Sequence, residues 1–199
     1  MFQSKISNEE VAELLTAQYD GEIVVVDSEH KVEAACHHLA QHAVIGFDTE
    51  TRPSFKAGVT NRVALLQLHV PGCCYLFRLC RIKLDRQIIR ILEDRNILKI
   101  GAAVHGDLDA LHKLRHFREG GFVDLQTIAP QWGIEEKSLR KLSAIVLGRK
   151  ISKAQRLSNW EAVFLTPQQQ TYAATDAWAC SEIYARLCAA PKLTNNSKS

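Results

Sequence analysis

No stretch of these 199 residues approaches the roughly 18 consecutive apolar positions of a membrane-crossing helix. The opening Met1-Phe-Gln-Ser-Lys-Ile-Ser-Asn-Glu-Glu10 places acids where a secretory signal would place its apolar core. Membrane and secretory readings are set aside, and a cytoplasmic protein is expected. Cys-x-x-Cys pairs are missing too: Cys73 and Cys74 are adjacent, and Cys36, Cys80, Cys180 and Cys188 are scattered. They read as reduced, mostly buried thiols, not as a disulfide framework or a zinc site. Internal repeats and low-complexity blocks are absent. The eight histidines show no metal-ligand spacing, and His37, His38, His112 and His116 read as helix surface. One sign of charge is also locally missing. From Lys137 to Asn159 there is no Asp or Glu, while the whole chain carries a net charge of only +3.

What is present suits one enzyme domain. A chain of 199 residues with 46% hydrophobic content fills a single core. Strand-like and helix-like stretches alternate, which predicts an α/β fold. A strand is expected at Glu22–Val26, a helix from Ser28 to about His42, and a strand around Val44–Glu50. Val63–His69 and Cys74–Phe77 flank Pro71-Gly72, a turn signal that predicts a hairpin. Further elements are a helix over Asp85–Asp94, a strand at Ile97–Gly101, and a helix from His105 to about His116 stopped by Gly120-Gly121. A strand Phe122–Asp124 then leads to helices near Leu125–Gln131 and Ser138–Leu147. The final helix has the clearest start: Thr166 as N-cap, Pro167 at the first position and Gln169 closing a capping box. It is expected to reach about Ala189. Residues 1–21 read as an N-terminal extension, 22–189 as the globular domain and 190–199 as a flexible polar tail.

The chemistry lies in four carboxylates and a phenol. Residues two apart on a strand share a face, so Asp48 and Glu50 project together while Ile45 and Phe47 take the other side. Each raises the pKa of the other unless a cation intervenes, and a divalent ion that prefers hard oxygen ligands, such as Mg2+ or Mn2+, is the usual remedy. Tyr172 and Asp176 are four apart and stack on one helical face. Asp107 follows His105-Gly106 at a helix start.

Phe47-Asp48-Thr49-Glu50, Asn61–Leu68, Gly101-Ala-Ala-Val-His-Gly-Asp107, Leu157-Ser-Asn-Trp160 and Leu165–Ala177 resemble the three exonuclease motifs of the DEDD superfamily. Tyr172 marks the resemblance as one to the DEDDy subgroup. Within it the chain is most similar to Werner-syndrome-type 3'-5' exonuclease domains, with the RNase D catalytic domain a more distant relative. The similarity spans roughly residues 22 to 189, and three motifs in order carry it where any one alone would be weak. It implies an RNase H-like mixed β-sheet flanked by helices, with three antiparallel strands followed by strands separated by helices. It also implies two divalent ions about 3.5 to 4 Å apart. In that pattern Asp48 bridges both ions, Glu50 and Asp176 complete the first, and Asp107 holds the second largely through water. Tyr172 orients the attacking water, since a phenol with an ordinary pKa of about 10 is a poor base at neutral pH.

Substrate contacts are read with less specificity. Thr49 sits between two of the acids. His105 either touches substrate or is structural, and Trp160 either stacks on a base or sugar or fills the core. Asp109 is turned away from Asp107 on a helix and reads as surface; Asp124 reads as an N-cap. The acid-free run carries Lys137, Arg140, Lys141, Arg149, Lys150, Lys153 and Arg156, and is expected to be a phosphate track through Lys150, Lys153 and Arg156. The expected partner is nucleic acid, DNA favoured over RNA. An RNase D-like exoribonuclease, a catalytically weak nucleic-acid-binding module and an enzyme acting on a small phosphoester remain as alternatives.

Overall fold

Aliphatic and β-branched runs that can be covered on both faces form the strands β1 Glu22–Val26, β2 Val44–Thr51, β3 Val63–Val70, β4 Cys73–Phe77, β5 Leu98–Gly101 and β6 Phe122–Asp124. They are seen in a computed structural model that describes residues 1–54, 58 and 61–193. One mixed sheet results, in the order β1-β4-β3-β2-β5-β6. The antiparallel meander is β2-β3-β4, with the hairpin between β3 and β4 as expected. β1 joins the far edge of β4 in parallel, and β5 and β6 continue in parallel beyond β2. Every residue of β3 and β4 is buried. This is the RNase H-like arrangement that the motifs implied.

The helices are α1 Asn8–Glu13, α2 Glu29–Leu39, α3 Arg86–Glu93, α4 Val104–His112, α5 Leu125–Ile128, α6 Leu139–Leu147 and α7 Pro167–Ala189, with a short 3-10 turn at Ala129–Trp132 after α5. On one face of the sheet, residues of α2, α3 and α4 such as Leu39, Ile88, Leu92 and Leu111 pack against Phe47, Leu66 and Leu68. On the other face α7 lays Ala173, Ala174 and Ala177 over Leu65 and Leu76. Small side chains let a helix come close, and Gly46 on β2 completes the approach: a Cβ there would collide with the carbonyl of Ala177. α7 starts as its sequence signals require, with the Thr166–Gln169 capping box formed.

Three expectations change. α4 ends at His112, not near His116, because the His112 ring stacks on Phe117 at 4.4 Å between centroids, and buried Phe117 draws the chain back to the core. Gly120 therefore stops no helix; it is where the backbone passes against the Glu93 carbonyl, which a side chain would block. Residues 1–21 are packed onto the body: Ile6, Val11, Ala17 and Tyr19 are buried. Lys150 N–H donates to the Leu15 carbonyl, and Ala17 N–H donates to the Lys150 carbonyl. Finally, the tail expected from residue 190 begins fastened, since Leu193 N–H donates to the Gln131 carbonyl and the Lys192 ammonium lies over Trp132. Residues 194–199 lie outside the described residues.

Candidate active site

Period-two alternation puts Asp48 and Glu50 on the β2 face that α7 crosses, with Ile45 and Phe47 fully buried on the opposite face. The close α7–β2 contact at Gly46 brings Asp176 to them. One carboxylate oxygen from each of Asp48, Glu50 and Asp176 lies within 4.8 Å of the others. Asp107 arrives separately on α4, which packs on the other side of the sheet. Its Oδ1 accepts a hydrogen bond from the Thr49 hydroxyl, so Thr49 ties the helix-borne acid to the strand that bears two of the other three.

Gathering four acids, Asp176 buried and Asp48, Glu50 and Asp107 half-buried, without a counter-charge has a clear electrostatic consequence. Burial, and then the charges of Asp176, Asp107 and Glu50, hold the Asp48 carboxyl well above the usual carboxylate range. Glu50 is pushed up to about 9 by burial, with Asp176 and Asp107 adding to it. Asp176 rises to about 7 through burial, opposed by the Tyr172 hydroxyl. Asp107 rises to about 6 through burial, opposed by the Thr49 hydroxyl, with the charge of Asp124 adding to the rise. Asp176 is only 6% exposed, and its Oδ1 has no hydrogen-bond partner. A buried, unpartnered carboxylate oxygen close to two more carboxylates fits a hard divalent cation, which would satisfy all three at once. Tyr172, on the same face of α7, has its phenol pKa driven upward by burial and then by Asp176, Glu50 and Asp48, so it stays protonated at neutral pH.

The other predicted residues divide. Trp160 is not exposed for stacking on substrate: it is fully buried beside Leu165 and Ala173, its ring 6.0 Å from that of Tyr172, so it props the Tyr172 phenol from the core. His105 is exposed on α4 and lies 3.5 Å from Asp109, which is the surface residue expected. The Lys150 ammonium donates to the Ala12 carbonyl, which makes it a fastener of the N-terminal segment. Lys153 and Arg156 are exposed in the turns before α7 and form no ion pair among the described residues. Asp124 is an N-cap, accepting from Gln126 N–H, and does more than the sequence suggested. Its two oxygens also accept from Ala103 N–H and Val104 N–H, both at 3.1 Å, holding the start of α4 where Ala103 takes a left-handed conformation with φ of 61°. It thus sets where Asp107 lies; only its spacing before a helix was readable beforehand.

An RNase H-like sheet with three acids gathered on one face, a fourth on a neighbouring helix and a phenol beside them defines a nuclease-type site. A model of the 3'-5' exonuclease family matches residues 23–190, and the chain belongs to that family. Over 155 residues, 75% of this chain, it is 37% identical to the mouse bifunctional 3'-5' exonuclease/ATP-dependent helicase WRN, of which the match covers 11%. Over 157 residues, 76% of this chain, it is 38% identical to the Drosophila melanogaster exonuclease 3'-5' domain-containing protein 2, of which it covers 26%. The chain therefore spans about a quarter of one of these relatives and about a tenth of the other. Among solved structures, the Aedes aegypti Nibbler EXO domain superposes with a TM-score of 0.74 at 25% identity, covering 86% of this chain and 89% of that one. Escherichia coli RNase D superposes with a TM-score of 0.76 at 22% identity, covering 84% and 44%, and shares the fold.

Proposed function

We propose that this chain is a divalent-metal-dependent 3'-5' exonuclease that hydrolyses phosphodiester bonds from the 3' end of nucleic acid, with DNA favoured. The observation that carries the metal-dependent nuclease reading is the carboxylate trio of Asp48, Glu50 and Asp176, with an unpartnered oxygen on Asp176. The lean to DNA rests on the resemblance of the motifs to Werner-type domains. Asp48, Glu50 and Asp176 would hold one Mg2+ or Mn2+, and Asp48 with Asp107 a second. Bound ions of this kind lower the pKa of a water and neutralise charge on the phosphate and leaving oxygen. The protein's own groups do the rest. Tyr172, kept protonated by burial and then by its acidic neighbours, donates or orients but does not act as a base. Thr49 fixes the orientation of Asp107. Asp124 fixes the helix that carries it. Exposed Lys153 and Arg156 are available to neutralise phosphates of the strand.

RNA is the second reading. It is supported by the fold shared with Trypanosoma brucei RNase D, solved in complex with RNA U12 (TM-score 0.73, 21% identity, covering 93% of this chain and 66% of that one). The deciding experiment degrades single-stranded DNA, 3'-recessed duplex DNA and RNA side by side with Mg2+ and with Mn2+. Faster turnover of DNA supports the first reading and faster turnover of RNA the second. No turnover of any of them removes the enzymatic proposal.

A further inference from the structure

A cavity of about 440 Å3 opens beside Tyr172 and Asp176, within the range of small-ligand sites. Its walls come from three places: the N-terminal segment with Thr16 and Gln18, the loop with Ser152 and Gln155, and the first turn of α7 with Gln168. The N-terminal wall precedes the family-matched region, which begins at residue 23. That wall is fixed in place, since Tyr19 N–H donates to the Thr175 hydroxyl and Ala17 N–H to the Lys150 carbonyl. Among the described residues Asp176 is the one charged group in the lining; the rest are amides, hydroxyls and apolar groups, Ile151 and Pro167 the larger of these. None of the lining residues offers a phosphate a cation. A nucleobase, flat and edged with hydrogen-bond donors and acceptors, would find amides that can serve as both. Exposed Gln18 and Gln168 make no side-chain hydrogen bond among the described residues, so that capacity is free.

We infer that this cavity is a nucleobase subsite, and that Gln18, from outside the family's matched region, is one of the residues that sets substrate preference there. The inference rests on the nuclease reading above. Its test measures kcat and KM on single-stranded deoxyoligonucleotides, intact or carrying one abasic tetrahydrofuran at the terminal or penultimate position. Wild-type protein is expected to show a raised KM when the base is missing at one of these positions. Gln18→Ala and Gln168→Ala, both exposed changes that spare the core, are expected to raise KM on the intact strand by about 3- to 10-fold with kcat kept, as loss of one or two hydrogen bonds implies. They should also shrink the abasic penalty. Unchanged KM and an unchanged abasic penalty in both variants overturn the subsite while wild-type turnover leaves the nuclease reading standing; a wild type that degrades nothing fails the latter instead.

Under the acids, Gln67 carries a second inference on its own observation. It stands on β3 directly opposite Asp48 on β2, so the two side chains share a face with Cβ atoms about 4.5–5.5 Å apart. Gln67 is 0% exposed, and neither its Oε1 nor its Nε2 has a partner. A buried amide without partners destabilises a fold relative to an apolar side chain of the same shape, so its place beside Asp48 calls for a role. The geometry points to Gln67 as a positioning residue that donates from Nε2 to the Asp48 carboxylate when that carboxylate is turned to hold a divalent ion. Two readouts separate this from plain packing. Gln67→Met should leave the metal-free Tm unchanged or raised, while the midpoint of an Mg2+ or Mn2+ titration followed by thermal shift moves about 10- to 100-fold higher, as loss of a hydrogen bond to a ligand does. Gln67→Leu should show the same pair of changes. An unchanged midpoint in both variants, or a metal-free Tm that falls in both, overturns the assignment.

Discussion

Asp48→Asn should make the metal-free protein more stable and the metal-loaded protein less so. The trio places like charges within 4.8 Å, and two unit charges at that distance repel by about 3–4 kcal/mol at an effective dielectric constant of about 20. The metal-free site already sheds part of this by taking up protons, since Glu50 titrates only at about 9. The gain from Asp48→Asn at pH 8 is therefore a fraction of the pair energy, about 1–2 kcal/mol. For a chain of this length that is roughly 2–8 °C in Tm. The opposite effect appears with metal. An ion that binds only the folded state stabilises by about 2.7 kcal/mol at 100 times its Kd, or roughly 5–11 °C here. In Asp48→Asn that increment should fall close to zero at the same concentration. The assay is thermal unfolding of both proteins at pH 8, in chelator and across an Mg2+ or Mn2+ titration. A full metal increment retained by Asp48→Asn, or a metal-free Tm lowered by several degrees, would refute the reasoning that these acids form a cation cage.

Tyr172→Phe should lower kcat by about 10²- to 10⁴-fold and leave the metal-induced rise in Tm unchanged; full activity would make the hydroxyl a bystander. Stability of the metal-free protein should fall as pH rises. The raised carboxyl pKa values mean the folded state holds protons that the unfolded chain, titrating near 4, has released, so the loss runs from about pH 4 to the Glu50 value of about 9. Denaturant midpoints in chelator at pH 5.5 and 8.5 check this, and a midpoint higher at 8.5 contradicts it. Replacing Lys153 and Arg156 together by Ala should reduce the slope of log K against log salt on a single strand by roughly 1.4, at about 0.7 per phosphate contact. The binding is measured with Asp48→Asn protein so that the strand survives, and an unchanged slope assigns both residues to solvated surface.

What the sequence made legible is what short-range periodicity encodes. Asp48 and Glu50 share a strand face, Tyr172 and Asp176 share a helix face, and the cap at Thr166 formed; Asp85 and Ser138, read only as helix bounds, also cap their helices. The capping box of Ser7 and Glu10 was equally readable, yet residues 1–21 read as an extension because their polar start conceals spaced core positions at Ile6, Val11, Ala17 and Tyr19. Long-range partners were not legible. Lys150 looks like a phosphate ligand until the fold brings the Ala12 carbonyl to its ammonium, 138 residues back in the chain. Trp160 is ambiguous beside Leu157 and Phe164, which remain exposed while Trp160 itself is buried. The second role of Asp124 depends on β6 lying next to β5, so that the chain leaving β5 passes within reach of its carboxylate.

The most direct measurement follows a 5'-labelled single-stranded oligonucleotide with wild-type protein and Mg2+ or Mn2+, with chelator, and with Asp48→Asn. The account predicts a ladder shortening stepwise from the 3' end with metal, and intact strand in the other two reactions. Internal cleavage, degradation in chelator, or a ladder produced equally by Asp48→Asn would contradict it.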